Sequence, residues 1–170
     1  MASRTRTNLQ LVGILFVAAG VLRMLALLLG WFAQGAGATT IFAISNLAFG
    51  GAFLLLALRK VGDTLGQAAF WVAAVGWFLL AVSAPFAVNT FGQTALVVAL
   101  AGTLGSGLVV YVGRLFTRQA AVAFLVATIL GALTLLDAIA GFLPGLAGAV
   151  VAVGFSVVAV VTGLSITQRR

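Results

Sequence analysis

The chain reads as an all-α transmembrane protein: a six-helix bundle made of three helical hairpins with an approximate three-fold repeat, both termini cytoplasmic. Three observations predict this. Of its 170 residues 64% are hydrophobic and 6% charged, with a mean hydropathy of +1.29, more apolar surface than a water-soluble domain of this size can bury. The apolar residues fall into six runs of about 19 residues or longer, against roughly 20 for a helix that crosses the hydrocarbon. The basic residues sit on alternate junctions between those runs.

Taken in order, the first span is Leu9–Phe32, LQLVGILFVAAGVLRMLALLLGWF, with one charge, Arg23, near its middle. Its flanks, MASRTR before and AQGAGA after, imitate a signal peptide and cleavage site. A signal h-region usually runs about 7–15 residues and carries no arginine, so the segment is expected to be a retained helix. The other spans are Thr40–Leu58, Ala68–Ala87, Thr94–Val112, Ala120–Phe142 and Gly145–Ile166. The junctions are short and carry turn residues: Gln34 to Gly37, Val61-Gly62-Asp63, Asn89 with Gly92, Gly113, and Pro144-Gly145. Short junctions make successive helices antiparallel and leave no room for a soluble domain, so residues 1–170 form a single membrane domain, with hairpin units about 9–60, 66–114 and 120–170.

Charge gives the expected orientation. Arg4 and Arg6 precede the first span, Arg59 and Lys60 fill the second junction, Arg114 and Arg118 the fourth, and Arg169-Arg170 close the chain. The first, third and fifth junctions hold no Lys or Arg. The positive-inside rule then puts both termini and the even junctions in the cytoplasm, and only Arg23 among the nine basic residues is unexplained. Trp31, Phe32, Phe86, Phe91 and Phe142 at one set of ends, and Phe70, Trp71, Tyr111 and Phe116 at the other, are expected to form interfacial belts. Trp77, in mid-span, is expected to pack.

The chain aligns with itself. An offset of 111 lays Gly20 on Gly131, Gly30 on Gly141, Trp31 on Phe142, Ser45 on Ser156 and Arg59 on Arg170. An offset of 55 lays Gly50 on Gly105 and Arg59 on Arg114. Units with an even number of helices enter and leave on one side, so an axis along the membrane normal would relate them. Three hairpin units, the Gly13 to Gly20 spacing and a basic residue closing each unit resemble the HdeD-type acid-resistance membrane proteins. The resemblance implies a small six-span protein without enzymatic activity, in a stress-related or accessory membrane role. A proline after the first helix of a unit occurs here only at Pro85, with Pro144 later in its junction.

Composition narrows the chemistry. His and Cys are absent and the carboxylates number two, Asp63 and Asp137. The usual metal ligand sets, thiol chemistry and His-based proton transfer are therefore excluded, no cofactor is expected, and a bound lipid is left open. The net charge of +7 comes as pairs at span ends rather than as a clustered basic face, which argues against nucleic acid and for anionic headgroups.

Small residues four apart mark expected helix contacts: Gly148, Ala152 and Ser156; Gly102 with Ser106; Ala101 with Gly105; Thr103 with Gly107; Ala48 with Ala52. They predict a tight bundle rather than a wide water-filled pore. Ser45, Asn46, Thr103, Thr128 and Thr134 are expected interhelical hydrogen-bonders, with a substrate role for Asn46 as the alternative. Arg23 falls on the glycine face of the first span, and its offset equivalent, Thr134, lies three residues before Asp137. An ion pair between Arg23 and Asp137 is expected. It would be a lock between the first and third hairpins, or a functional pair serving a proton or a ligand; a second subunit could instead supply the counter-charge.

The leading expectation is a non-enzymatic accessory or structural subunit, or a small stress-related protein acting through helix–helix contacts. Its partners would be the lipid bilayer and a larger membrane complex or homo-oligomer. The alternative is a small channel or transporter for protons, anions or a small solute, using Arg23 and Asp137. Eight arginines beside one lysine suggest a GC-rich prokaryotic genome and hence the inner membrane.

Overall fold

The computed structural model describes residues 2–32, 36–59, 61–83 and 90–168. The described residues form six helices and no strand: α1 (Ala2–Phe32), α2 (Ala36–Leu58), α3 (Thr64–Ser83), α4 (Thr90–Val112), α5 (Arg118–Ala140) and α6 (Gly145–Thr167). All six are long and apolar enough to cross a membrane. The chain is a polytopic membrane protein.

Helix ends follow local chemistry. α3 starts four residues earlier than the hydropathy pattern suggests, because Asp63 Oδ1 accepts the Gly66 N–H at 2.8 Å and caps the helix. Thr117 does the same for α5, accepting from Ala120 N at 3.3 Å. α5 stops at Ala140 rather than Phe142 because Gly141 adopts the left-handed conformation (φ 58°) and returns its N–H to Asp137 O. The expected end of the third span at Ala87, and the belt position Phe86, lie outside the described residues.

Each helix packs on its neighbours in sequence, and α1 packs on α6, so the six close into a ring. Two seams bring backbones into contact. Between α3 and α4, Gly76 meets the Ala99 backbone and Gly102 meets that of Ala73. Between α1 and α6, Gly13 faces the carbonyl of Gly163 and Gly20 that of Ser156. Small-residue stripes thus hold the ring together, as association in lipid requires. Residues that the 111-residue offset equates have different tasks: Gly20 meets α6 backbone, whereas Gly131 receives the Phe155 ring.

No helix occupies the centre, so side chains fill it. Phe16, Phe49, Phe53, Trp77, Phe124 and Phe155 are each at most 3% exposed and converge there. Phe16 meets Phe49, Phe53 and Phe124 edge-on at 5.5–5.9 Å between ring centroids, and Phe49 stacks on Phe155 at 5.2 Å. These geometries suit the aromatic quadrupole. Trp77 donates its Nε1–H to Thr103 Oγ1 across α3 and α4 at 3.0 Å. The space among these rings is about 10 Å³, so the layer is dry.

Some expected belt residues belong elsewhere. Trp31, Phe32, Phe91, Phe142, Trp71 and Tyr111 are exposed at helix ends, but Phe70 and Phe116 are buried in the core. Near a helix end, depth alone does not tell which way a ring points.

Candidate functional site

Beyond the aromatic layer, toward the end of α1, the ring opens into a cavity of about 550 Å³. Five helices line it, α6 being the exception. Its walls are mainly apolar, with Ala26, Ala38, Leu80, Leu96, Leu135 and Ala138. Thr39 and Gln93, both exposed and close to the starts of α2 and α4, mark the mouth. Arg23 and Asn46 lie deepest. Arg23 is nine residues before Phe32, about 13 Å along the helix at 1.5 Å per residue. Trp77 is shared by the cavity wall and the aromatic layer, so among the described residues the cavity is a vestibule that ends on the indole, beyond which the space among the rings is about 10 Å³.

Arg23 is 3% exposed. Its Nη1–H donates to Asn46 Oδ1 at 3.1 Å, and Asn46 is itself 1% exposed. The guanidinium carbon lies 4.3 Å from the Phe42 ring centroid, 5.1 Å from Phe155 and 5.6 Å from Trp77. Nε is buried with no acceptor among the described residues. Magnitudes explain why an arginine persists here. Placing one at mid-depth costs about 2.5–3.5 kcal/mol on insertion scales. A hydrogen bond from a charged donor recovers about 1.5–3 kcal/mol and a desolvated cation–π contact about 2. Cost and recovery are comparable, so the charge is tolerated without an acid beside it.

The expected ion pair is not formed. Asp137 Oδ1 accepts the Leu143 N–H at 2.9 Å, just beyond the left-handed Gly141, and Asp137 is only half-buried. Its Oδ2 lies over Gly148 in the first turns of α6, where a Cβ would meet it at 2.9 Å. The carboxylate therefore serves the α5–α6 turn, next to the positive end of α6, and does not line the vestibule. Separation of the helices is not the reason, since Phe16 of α1 meets Phe124 of α5 at 5.5 Å; the carboxylate is turned to the α5–α6 junction, where the Leu143 N–H holds it beside Gly148.

The remaining polar expectations divide. Asn46 and Thr103 bond across helices, and Ser45 Oγ donates to Ala19 O of α1 at 2.9 Å. Thr134 and Thr128 do not; their hydroxyls donate to Leu130 O and Leu125 O of their own helix. In a helix this back-bond is the nearest available acceptor, and it leaves no donor for a neighbour. Thr134 nonetheless lines the vestibule with Arg23, its offset equivalent.

Sequence reasoning missed Phe42 and the vestibule itself; it expected Trp77 to pack, as it does, but not to stand beside Arg23. Mid-span depth was the one available signal for the aromatic residues, since helices apolar on every side carry no face preference.

Fold and cavity together define a class, a polytopic membrane protein with a one-ended apolar vestibule closing on a buried arginine. Comparison with protein-family models, curated proteins and solved structures finds no match.

Proposed function

We propose that this chain is a non-enzymatic membrane protein that binds a small amphipathic molecule in the vestibule. The observation that carries the reading is the cavity: about 550 Å³, mostly apolar, with a few polar groups converging at its deep end, the pattern of a small-molecule site. The composition supports the absence of enzymatic chemistry, since two carboxylates and no His or Cys supply few nucleophiles, bases or metal ligands.

Orientation belongs to the same reading. Eight of the nine basic residues cluster at the termini and even junctions, so we place both termini in the cytoplasm and the vestibule mouth on the opposite side of a prokaryotic inner membrane. Three duplicated hairpins remain our reading of how the ring arose, supported by the self-alignment. The resemblance to HdeD-type proteins fits a stress-related setting.

A purely structural role through helix contacts has less support, because the small-residue stripes at Gly13, Gly20, Gly76, Gly102 and Gly163 are consumed inside the ring. Transport of a bound solute is the second reading. It is favoured by a vestibule open at one end, and it requires the aromatic layer to part during the cycle.

The full chain in mild detergent, screened against small amphipathic compounds, is expected to gain thermal stability saturably with at least one of them. Ala138→Phe, which fills the vestibule from its wall, is expected to abolish that gain. A panel that leaves the wild type unmoved, or an Ala138→Phe variant that responds equally, would remove the reading.

A further inference from the structure

The binding reading leaves the chemical class of the ligand open, and Arg23 narrows it. We propose that Arg23 receives the oxyanion, a carboxylate or a phosphate, of a small amphipathic anion whose apolar body fills the vestibule. This inference rests on the binding reading above.

Charge balance comes first. The chain has two carboxylates, and neither serves Arg23. Asp63 caps α3, and Asp137 is bonded to Leu143 N and lies outside the vestibule lining. The guanidinium is therefore a full positive charge at the base of a low-dielectric cavity, where its attraction for an anion is weakly screened. The neutral oxygen of Asn46 is its one hydrogen-bond acceptor among the described residues.

Donor count comes second. A guanidinium has five N–H donors in a rigid fork, and Asn46 takes one of them. Four donors remain, and among them Nε–H is buried without an acceptor among the described residues, on the kind of planar edge that binds an oxyanion bidentately. Asn46, held by Nη1, fixes the fork, and Phe42 covers one face at 4.3 Å. The site is thus pre-organised for one more partner.

Shape comes third. An inorganic anion alone would leave most of the 550 Å³ and its apolar wall unfilled. A cation is repelled by Arg23, and a neutral molecule leaves the charge unanswered. An organic acid satisfies both the base and the wall.

The test uses the full chain in nanodiscs with Trp31→Phe and Trp71→Phe, two exposed positions, so that Trp77 beside the guanidinium is the remaining tryptophan. Its emission is followed while benzoate, benzyl alcohol or inorganic phosphate is added to phosphatidylcholine discs. Benzoate is expected to saturate the signal, with benzyl alcohol and phosphate each weaker by about tenfold or more. Arg23→Gln should weaken benzoate by about tenfold to a hundredfold, the value of one charged hydrogen bond, whereas Arg23→Lys should retain part of it. Unchanged helical content and a cooperative thermal transition in the unliganded variants confirm folding; if Arg23→Gln does not fold, the comparison of benzoate with benzyl alcohol decides.

Repeating the titration in discs containing phosphatidylglycerol separates the sources. Competition assigns the oxyanion to a lipid headgroup, and none assigns it to a solute from the aqueous side. Equal saturation by benzyl alcohol, or by benzoate in Arg23→Gln, would overturn the anion while leaving the binding reading intact. No saturable change with benzoate or benzyl alcohol would overturn both.

Discussion

Gly102→Val is expected to destabilise the folded ring by about 3 kcal/mol or more, read as lost thermal stability of the full chain in detergent. A Cβ at Gly102 would run into the backbone nitrogen and Cα of Ala73. Backbone cannot swing aside as a side-chain tip can, so α3 and α4 must separate. Separation also pulls Gly76 off the Ala99 backbone, which undoes the seam along its length. Gly30→Ala is the control: Gly30 lies inside α1 with no atom within 4 Å of the added methyl. Helix propensity then makes Gly30→Ala neutral or stabilising by up to about 1 kcal/mol. Equal effects at the two glycines would show that the α3–α4 seam is not a close backbone contact.

Trp77→Ala is the second large effect, an expected loss of about 3–5 kcal/mol. The indole is 1% exposed, packs on Phe49 and Phe155, and separates the vestibule from the dry layer. Its removal leaves a cavity joined to the vestibule and takes from Thr103 Oγ1 the hydrogen bond it accepts. Trp77→Phe keeps most of the ring volume and loses that bond, for about 1 kcal/mol. Chemical denaturation of the two variants against wild type measures the difference. A Trp77→Ala loss no larger than that of Trp77→Phe would mean that the indole does not fill the centre of the ring.

The six spans were legible in the sequence because a helix crossing lipid needs a long apolar run, and turn residues such as Asp63, Gly113 and Pro144 punctuate those runs. Arg23 was legible for the opposite reason, as the one basic residue that no junction accounts for. Its partner was not. Sequence spacing reports the height of a residue along a helix and says little about which helices stand side by side. Arg23 and Asp137 were matched in height, but the carboxylate turns to the α5–α6 junction, where the Leu143 N–H takes it. The aromatic layer was hidden for a related cause. A ring of helices that are apolar all round gives no periodic sign of which face turns inward, so Phe16, Phe49 and Phe124 read the same as lipid-facing phenylalanines. The vestibule lies beyond both limits, because a cavity is a property of five helices at once.

A ladder of single cysteines down the axis tests the blind vestibule most directly. The natural chain contains no cysteine, so each introduced thiol reports alone. Gln93→Cys at the mouth and Thr134→Cys on the wall are expected to react with a small membrane-impermeant methanethiosulfonate applied from the side opposite the termini. Thr103→Cys and Thr128→Cys, at the aromatic layer, are expected to stay unreactive from both sides. Modification at all four positions from one side would reveal a continuous pore. An unreactive Thr134→Cys would mean that no water-filled vestibule reaches Arg23.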